Sequence, residues 1–108
     1  MEKDVIGSYL NSIKKFSLLS AEEEVELSKK IQSGDKNAVK QLVNSNLRLV
    51  VSLARKMQAS PSIIMDLIQE GNMGLMVAAE KFSSDFKTRF STYTYPWIAQ
   101  YMLRYMNS

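Results

Sequence analysis

Apolar positions recur along the chain at the spacing of α-helix faces, and nowhere do β-branched residues alternate strictly with polar ones as in a half-buried strand. Ile6, Tyr9, Leu10 and Ile13 stand at i, i+3, i+4 and i+7 and predict a first short amphipathic helix. Ser20 and Glu23 then have the spacing of a capping box, in which hydroxyl and carboxylate each take an orphan backbone amide. Glu22, Glu23 and Glu24 fall in the first turn of that second helix, where negative charge suits the positive helix end. Lys29 and Lys30 lie near its far end, which Ser33-Gly34 closes.

Asp35 is placed to cap a long third helix that runs to Met57 or Gln58. Its stripe is Val39, Leu42, Val43, Asn46, Val50, Leu53, Ala54 and Met57, with Asn46 the one polar member. Ser60-Pro61 starts a fourth, with proline at the first helical position, where its missing N–H costs little. Ile64, Leu67, Ile68, Gly71, Leu75, Ala78, Ala79 and Phe82 form its apolar stripe. Gly71 and Gly74 each cost about 1 kcal/mol against alanine inside a helix, so close approach of another backbone is expected there. Residues 83–89 read as a loop, and a last helix starts at Ser91 or Tyr95, with Pro96 complicating its start. The pattern predicts an all-α fold, a compact bundle of about five helices. Residues 1–34 form an N-terminal helical segment, and residues 35–108 the main helical domain, the two making one structural unit. The chain stops at Tyr105-Met106-Asn107-Ser108 with no stop signal, as expected of a piece of a longer protein.

Composition narrows the chemistry. The 108 residues contain neither cysteine nor histidine, which removes disulfides, thiol chemistry, imidazole bases and the usual zinc ligands. Triads that need a proton-shuttling histidine are excluded as well. Asp66 and Glu70 offer a carboxylate pair, but no metal signature or phosphate loop accompanies them. No enzyme, metal site or cofactor is expected. The apolar runs are too short to span a bilayer, and no secretion signal opens the chain, so a cytoplasmic protein is expected. The net charge of +3 is unevenly spread. Residues 1–35 set five lysines against seven acids, and residues 36–108 set nine basic residues against four acids. A basic half points to a polyanion partner.

Two clusters carry the candidate function. Phe82, Phe86, Phe90, Tyr93, Tyr95, Trp97, Tyr101 and Tyr105 fall within 24 residues, interleaved with Lys81, Lys87, Arg89 and Arg104. Stacking on unpaired bases is worth about 1–3 kcal/mol per ring, while the cations follow phosphates. The plainer alternative is a packed core, but eight rings exceed what one helical stripe can bury. The second cluster is Asp66-Leu67-Ile68-Gln69-Glu70-Gly71-Asn72-Met73-Gly74-Leu75-Met76. There Asp66, Gln69, Glu70 and Met73 share the side away from the apolar stripe, which on spacing alone is a solvated face.

Asn46-Leu47-Arg48-Leu49-Val50-Val51, the Asp66–Met76 cluster and Arg89-Phe90-Ser91-Thr92-Tyr93 together resemble the core of bacterial RNA polymerase sigma factors. Tyr9-Leu10 through Leu18-Leu19-Ser20-Ala21-Glu22-Glu23-Glu24 is similar to the segment that precedes that core, so the resemblance covers nearly the whole chain. It implies a helical domain that docks on the clamp helices of the polymerase largest subunit through Asp66, Gln69, Glu70, Asn72 and Met76. It also implies capture of bases flipped from the non-template strand of the promoter's minus-ten element. Phe82, Phe90, Ser91, Thr92 and Tyr93 match the pocket for the first flipped base. Asn46 and Leu49 match part of a second pocket, Trp97 the wedge against the duplex, and Gln100 and Arg104 the face toward upstream duplex DNA. Lys87, Arg89 and Arg104 are the expected phosphate contacts. An anti-sigma factor is a further partner the resemblance allows.

Several residues depart from the pattern of primary sigma factors. Pro96-Trp97 replaces a Trp pair, Asp85-Phe86-Lys87 an Arg-rich loop, and Thr88, Ala99 and Leu103 a Tyr, an Arg and a Thr. Pro96 in particular resembles alternative factors of the sporulation and general-stress type. These departures leave the docking motif whole and fall on promoter readout. They motivate a second reading, a polymerase-binding regulator that has lost DNA readout.

Overall fold

Helix starts that carry their own caps form as expected. The computed structural model describes residues 2–108, and side chains from Val5 onward. Helix α1 spans Glu2–Ile13 and α2 Ala21–Gln32. The Ser20 hydroxyl accepts from the Glu23 amide at 3.1 Å, and the Glu23 carboxylate accepts from the Ser20 amide at 2.8 Å. Such a cap is worth about 1 kcal/mol. Asp35 caps α3 (Lys36–Asn44) by accepting from the amides of Asn37 and Ala38.

The single long helix expected from Asp35 to Met57 is in fact two, α3 and α4 (Leu47–Lys56). The break sits at Ser45-Asn46. The Leu42 carbonyl accepts from the Ser45 hydroxyl at 3.1 Å and from the Asn46 side-chain amide at 2.8 Å, while the Asn46 backbone N–H bonds to Val43 instead. Short polar side chains thus outcompete the ladder at this turn. Asn46 is a hinge residue between helices and not the polar member of a continuous stripe. Gln58, with φ 56°, stops α4.

Helix α5 (Ile64–Lys81) begins three residues later than Pro61 predicts. The Ser60 hydroxyl pairs with that of Ser62 at 3.1 Å, and the Ser60 carbonyl receives both the Ile63 and the Ile64 amides, so a turn precedes the helix proper. A 3₁₀ turn at Ser84–Phe86 follows, then α6 over Phe90–Asn107, starting one residue before the earliest expected position. Pro96 lies inside α6. It denies the Thr92 carbonyl its i+4 donor, but Thr92 and Pro96 are both at the surface, where water reaches the freed group. The described residues therefore form an all-α fold of six helices and one 3₁₀ turn, the split of the third helix accounting for the extra element.

Helices α5 and α6, 18 residues each, make the most extensive pairing, and α3 and α4 also pack on α5, with α4 reaching α6 as well. Leu67, Ile68, Leu75, Ala78, Ile98 and Met102 are sealed between these helices, with Val50 and Val51 of α4. Ile6 and Ile13 of α1 and Leu27 and Ile31 of α2 join the same core. The glycines of α5 sit where another element presses closest. A methyl group on Gly71 would meet Met102 Cε at 2.5 Å and Val50 Cγ1 at 2.7 Å, and one on Gly74 would meet the Trp97 carbonyl oxygen at 2.7 Å. Backbone approach of α6 to Gly74 is what sets the spacing of the central pair.

Candidate functional site

The aromatic segment divides by depth. Phe90 and Phe82 are buried in the core, edge to face with centroids 5.1 Å apart. Neither presents a face to a ligand in this arrangement. Tyr93 is half-buried, tilted over Phe82 at 5.8 Å and over Phe86 at 4.9 Å, and Phe86 is itself exposed. The accessible aromatic surface at the start of α6 is thus the Phe86–Tyr93 pair standing on Phe82, which packs in turn on Phe90. Beside it are Lys87, Ser91 and Thr92, all exposed, with Lys87 at a left-handed φ of 54° that ends the 3₁₀ turn. Phe86 belongs to the aromatic cluster of the sequence but is not among the residues the resemblance matches to a base pocket. The signal for it was its i−4 and i+7 spacing to Phe82 and Tyr93, blurred because the intervening residues are not helical.

Farther along α6, the outer face carries Tyr95, Pro96, Ala99, Gln100, Leu103 and Arg104 around a shallow apolar groove. Gln100 is exposed, and Arg104 lies 4.5 Å from the centroid of the Tyr101 ring. Trp97 is half-buried, its backbone against Gly74.

Arg89 is not a free cation. Its Nε and Nη2 donate to the two Glu24 carboxylate oxygens at 3.0 and 3.3 Å, and Nη2 also donates to the Leu19 carbonyl at 2.9 Å. The hydrogen bond and charge of Glu24 push the guanidinium still higher than its usual range. Half of the Arg89 side chain stays exposed, whereas the Glu24 side chain is 7% exposed. Asn46, Arg89 and Ser91 line one hollow of about 170 Å³ with Leu18, Leu19, Glu24 and Ser45. Leu49, expected beside Asn46, is half-buried and does not line it. Glu24 went unnoticed within the run Glu22-Glu23-Glu24. The available signal was that it opens the stripe Glu24, Leu27, Ser28 and Ile31, all four of them buried.

The second cluster forms a ridge along α5. Asp66, Gln69, Met73 and Met76 are exposed, the two methionines by 51% and 53%, and Glu70 is half-buried next to them. Two exposed methionines on one ridge are an adaptable apolar surface. Asn72 turns inward instead. Its side-chain amide donates to the Tyr9 hydroxyl at 3.1 Å, while its carbonyl oxygen is buried without a partner. Asp66 accepts from the Tyr105 hydroxyl at 3.3 Å, which ties the ridge to the end of α6.

Partial burial, then the charge and hydrogen bond of Asp66, push the Tyr105 phenol above the usual tyrosine value. The folded state thus holds that proton more tightly than the unfolded chain. This contribution to stability is whole below the ordinary tyrosine pKa and is lost as pH rises through the raised one. In alkaline melting experiments, the advantage of the natural chain over Tyr105→Phe should shrink to nothing. An advantage that stays constant with pH would rule the contact out as a stabilising one.

Among the described residues, no helix is long and apolar enough to cross a membrane. A family profile described as Sigma-70 region 2 matches residues 42–108, and one described as Sigma-70 factor, region 1.2, matches residues 4–37. The chain is similar to proteins named RNA polymerase sigma factor SigA. It is 48% identical over 101 residues to that of a Bacillus species, 48% over 103 residues to that of Clostridium acetobutylicum, and 46% over 101 residues to that of Listeria monocytogenes. Each match takes in 94% of this chain and 27% of the relative, so the chain spans about a quarter of their length. These relatives are SigA factors. The closeness to sporulation and stress factors expected from Pro96 gains no support from them.

Proposed function

The chain belongs to the sigma-70 family, and from that premise we propose that it is the part of a transcription initiation factor that docks on core RNA polymerase and holds the opened minus-ten strand. It acts by binding, not as an enzyme, and works in the cytoplasm where the polymerase is. The observation that carries the reading is the separation of two surfaces on one small fold. The α5 ridge of Asp66, Gln69, Glu70 and Met76 is the polymerase side, and Asn72 supports it from within. The first turns of α6 are the DNA side, with the exposed Phe86–Tyr93 pair beside Lys87, Ser91 and Thr92.

A flipped base costs a few kcal/mol to unstack, which stacking on an aromatic face offsets. Phe82 acts under this surface by holding Tyr93 in place, and Phe90 backs Phe82. The hollow shared by Asn46 and Ser91 is the candidate second pocket, and Leu49, one helical turn after Asn46 but outside its lining, is the least direct of the expected contacts. Trp97 braces the upstream edge, and Gln100 and Arg104 face duplex DNA.

The test combines capture of core polymerase with selection of bound non-template strands, which should return AT-rich minus-ten sequences. Glu70→Lys sets a cation against the basic partner surface expected opposite the α5 ridge and should weaken core binding on the order of tenfold or more, since like charges brought together across an interface cost several kcal/mol. Unchanged core affinity with weakened oligonucleotide binding would show that the two faces have been assigned the wrong way round. The apolar groove around Ala99 and Leu103 favours a second reading, a polymerase-binding regulator without DNA readout. Core capture without strand selection is the result that would favour it.

A further inference from the structure

Helix α2 holds both ends of the loop that joins α5 to α6. At one end, the Gln32 side-chain amide donates to the carbonyl of Phe82, the residue that follows α5, at 3.1 Å. At the other, Glu24 Oε1 accepts from the Phe90 backbone amide at 3.0 Å. Phe90 is the first residue of α6, and Arg89 before it makes no side-chain cap. The first amides of a helix lack intrahelical acceptors, and here a carboxylate from a helix 66 residues earlier supplies one. Its negative charge lies at the positive end of the α6 dipole. The same carboxylate takes two bonds from Arg89, whose guanidinium also reaches the Leu19 carbonyl. One nearly buried charge thus fixes the loop end, the first turn of α6 and the segment leading into α2.

We propose that Glu24 is a positioning residue for strand recognition: it caps α6 from α2, aligns Ser91, Thr92 and Tyr93, and withholds the Arg89 charge from phosphates. The proposal rests on the reading of the α6 start as the strand-binding surface. Two functions of the carboxylate can be separated by substitution. Glu24→Gln keeps an oxygen for the Phe90 amide and removes the charge that pairs with Arg89. Glu24→Ala removes both.

Backbone hydrogen exchange of the 108-residue chain reads the cap without any DNA. Exchange at Phe90, Ser91, Thr92 and Tyr93 should speed up tenfold or more in Glu24→Ala, and much less in Glu24→Gln. Affinity for a labelled AT-rich single-stranded oligonucleotide, measured with core polymerase present, should fall several-fold in Glu24→Ala. In Glu24→Gln the released Arg89 should add about one phosphate contact, which steepens the log-log salt slope by about one. Arg89→Ala in that background should restore the original slope.

Unchanged exchange in Glu24→Ala overturns the capping role, and so does acceleration spread evenly over all helices with Gln as harmful as Ala. An unchanged salt slope in Glu24→Gln overturns the withheld charge. Should first-turn protection be lost while affinity holds, and Tyr93→Ala still weaken binding, positioning by Glu24 is refuted and the strand site stands. If neither Tyr93→Ala nor Glu24→Ala alters binding, the strand site itself fails and the proposal falls with it.

Discussion

Gly74→Ala is expected to lower the melting temperature on the order of 10 °C, the largest stability loss of any single methyl group added to α5. The new Cβ would stand 2.7 Å from the Trp97 carbonyl oxygen and 3.0 Å from its carbon. Those atoms are backbone, so they yield only if α6 moves as a whole. Overpacking of this kind costs about 1–3 kcal/mol and sometimes more, against a gain of about 1 kcal/mol from replacing glycine in a helix. At about 4 °C or more per kcal/mol for a domain of this size, the shift is easily measured. Gly71→Ala meets Met102 Cε and Val50 Cγ1 instead, and a methionine end can swing aside, so a smaller loss is expected there. Gly7→Ala, with nothing within 4 Å of its new methyl, should stabilise slightly and serves as the control. Equal melting curves for all three variants would mean that α5 and α6 do not approach as closely as described.

Tyr93→Ala is expected to cost tenfold or more in affinity for the opened minus-ten strand, and Tyr93→Phe very little. The ring stands against Phe82 and Phe86 and is only half-buried, so part of it remains accessible for stacking. Loss of one base–aromatic stack accounts for about 1–3 kcal/mol. Because the ring is half-buried, the alanine variant should also melt a few degrees lower. Phe86→Ala supplies the comparison, since it removes a neighbour of the ring but leaves Tyr93 on Phe82. Retained strand affinity in a destabilised Tyr93→Ala protein would assign the ring to packing alone.

Much of the architecture was legible residue by residue. The α1 stripe, the Ser20–Glu23 box and the Asp35 cap depend on side chains three or four residues apart, and the sequence displays such spacings directly. The close approach at Gly71 and Gly74 was readable for a related reason, since a helix that tolerates two glycines one turn apart gains something from the missing methyl groups. The break at Ser45-Asn46 was not read, although its cause is equally local. Ser and Asn are acceptable within a helix or at its end, and here they bond back to Leu42 and end it.

The division of the candidate site by depth could not be seen in advance. Phe82, Phe86, Phe90 and Tyr93 are alike in composition and close in sequence, yet two are buried and one is exposed. Asn72 belongs to the docking motif, but its amide points at Tyr9, 63 residues away. Helical periodicity is a property of neighbouring residues and needs no partner to be recognised. Burial of a particular ring or charge is decided by what arrives from elsewhere in the chain. Glu22, Glu23 and Glu24 are three identical side chains in one turn, and only the arrival of Arg89 and the bare amide of Phe90 makes the third of them a buried strut.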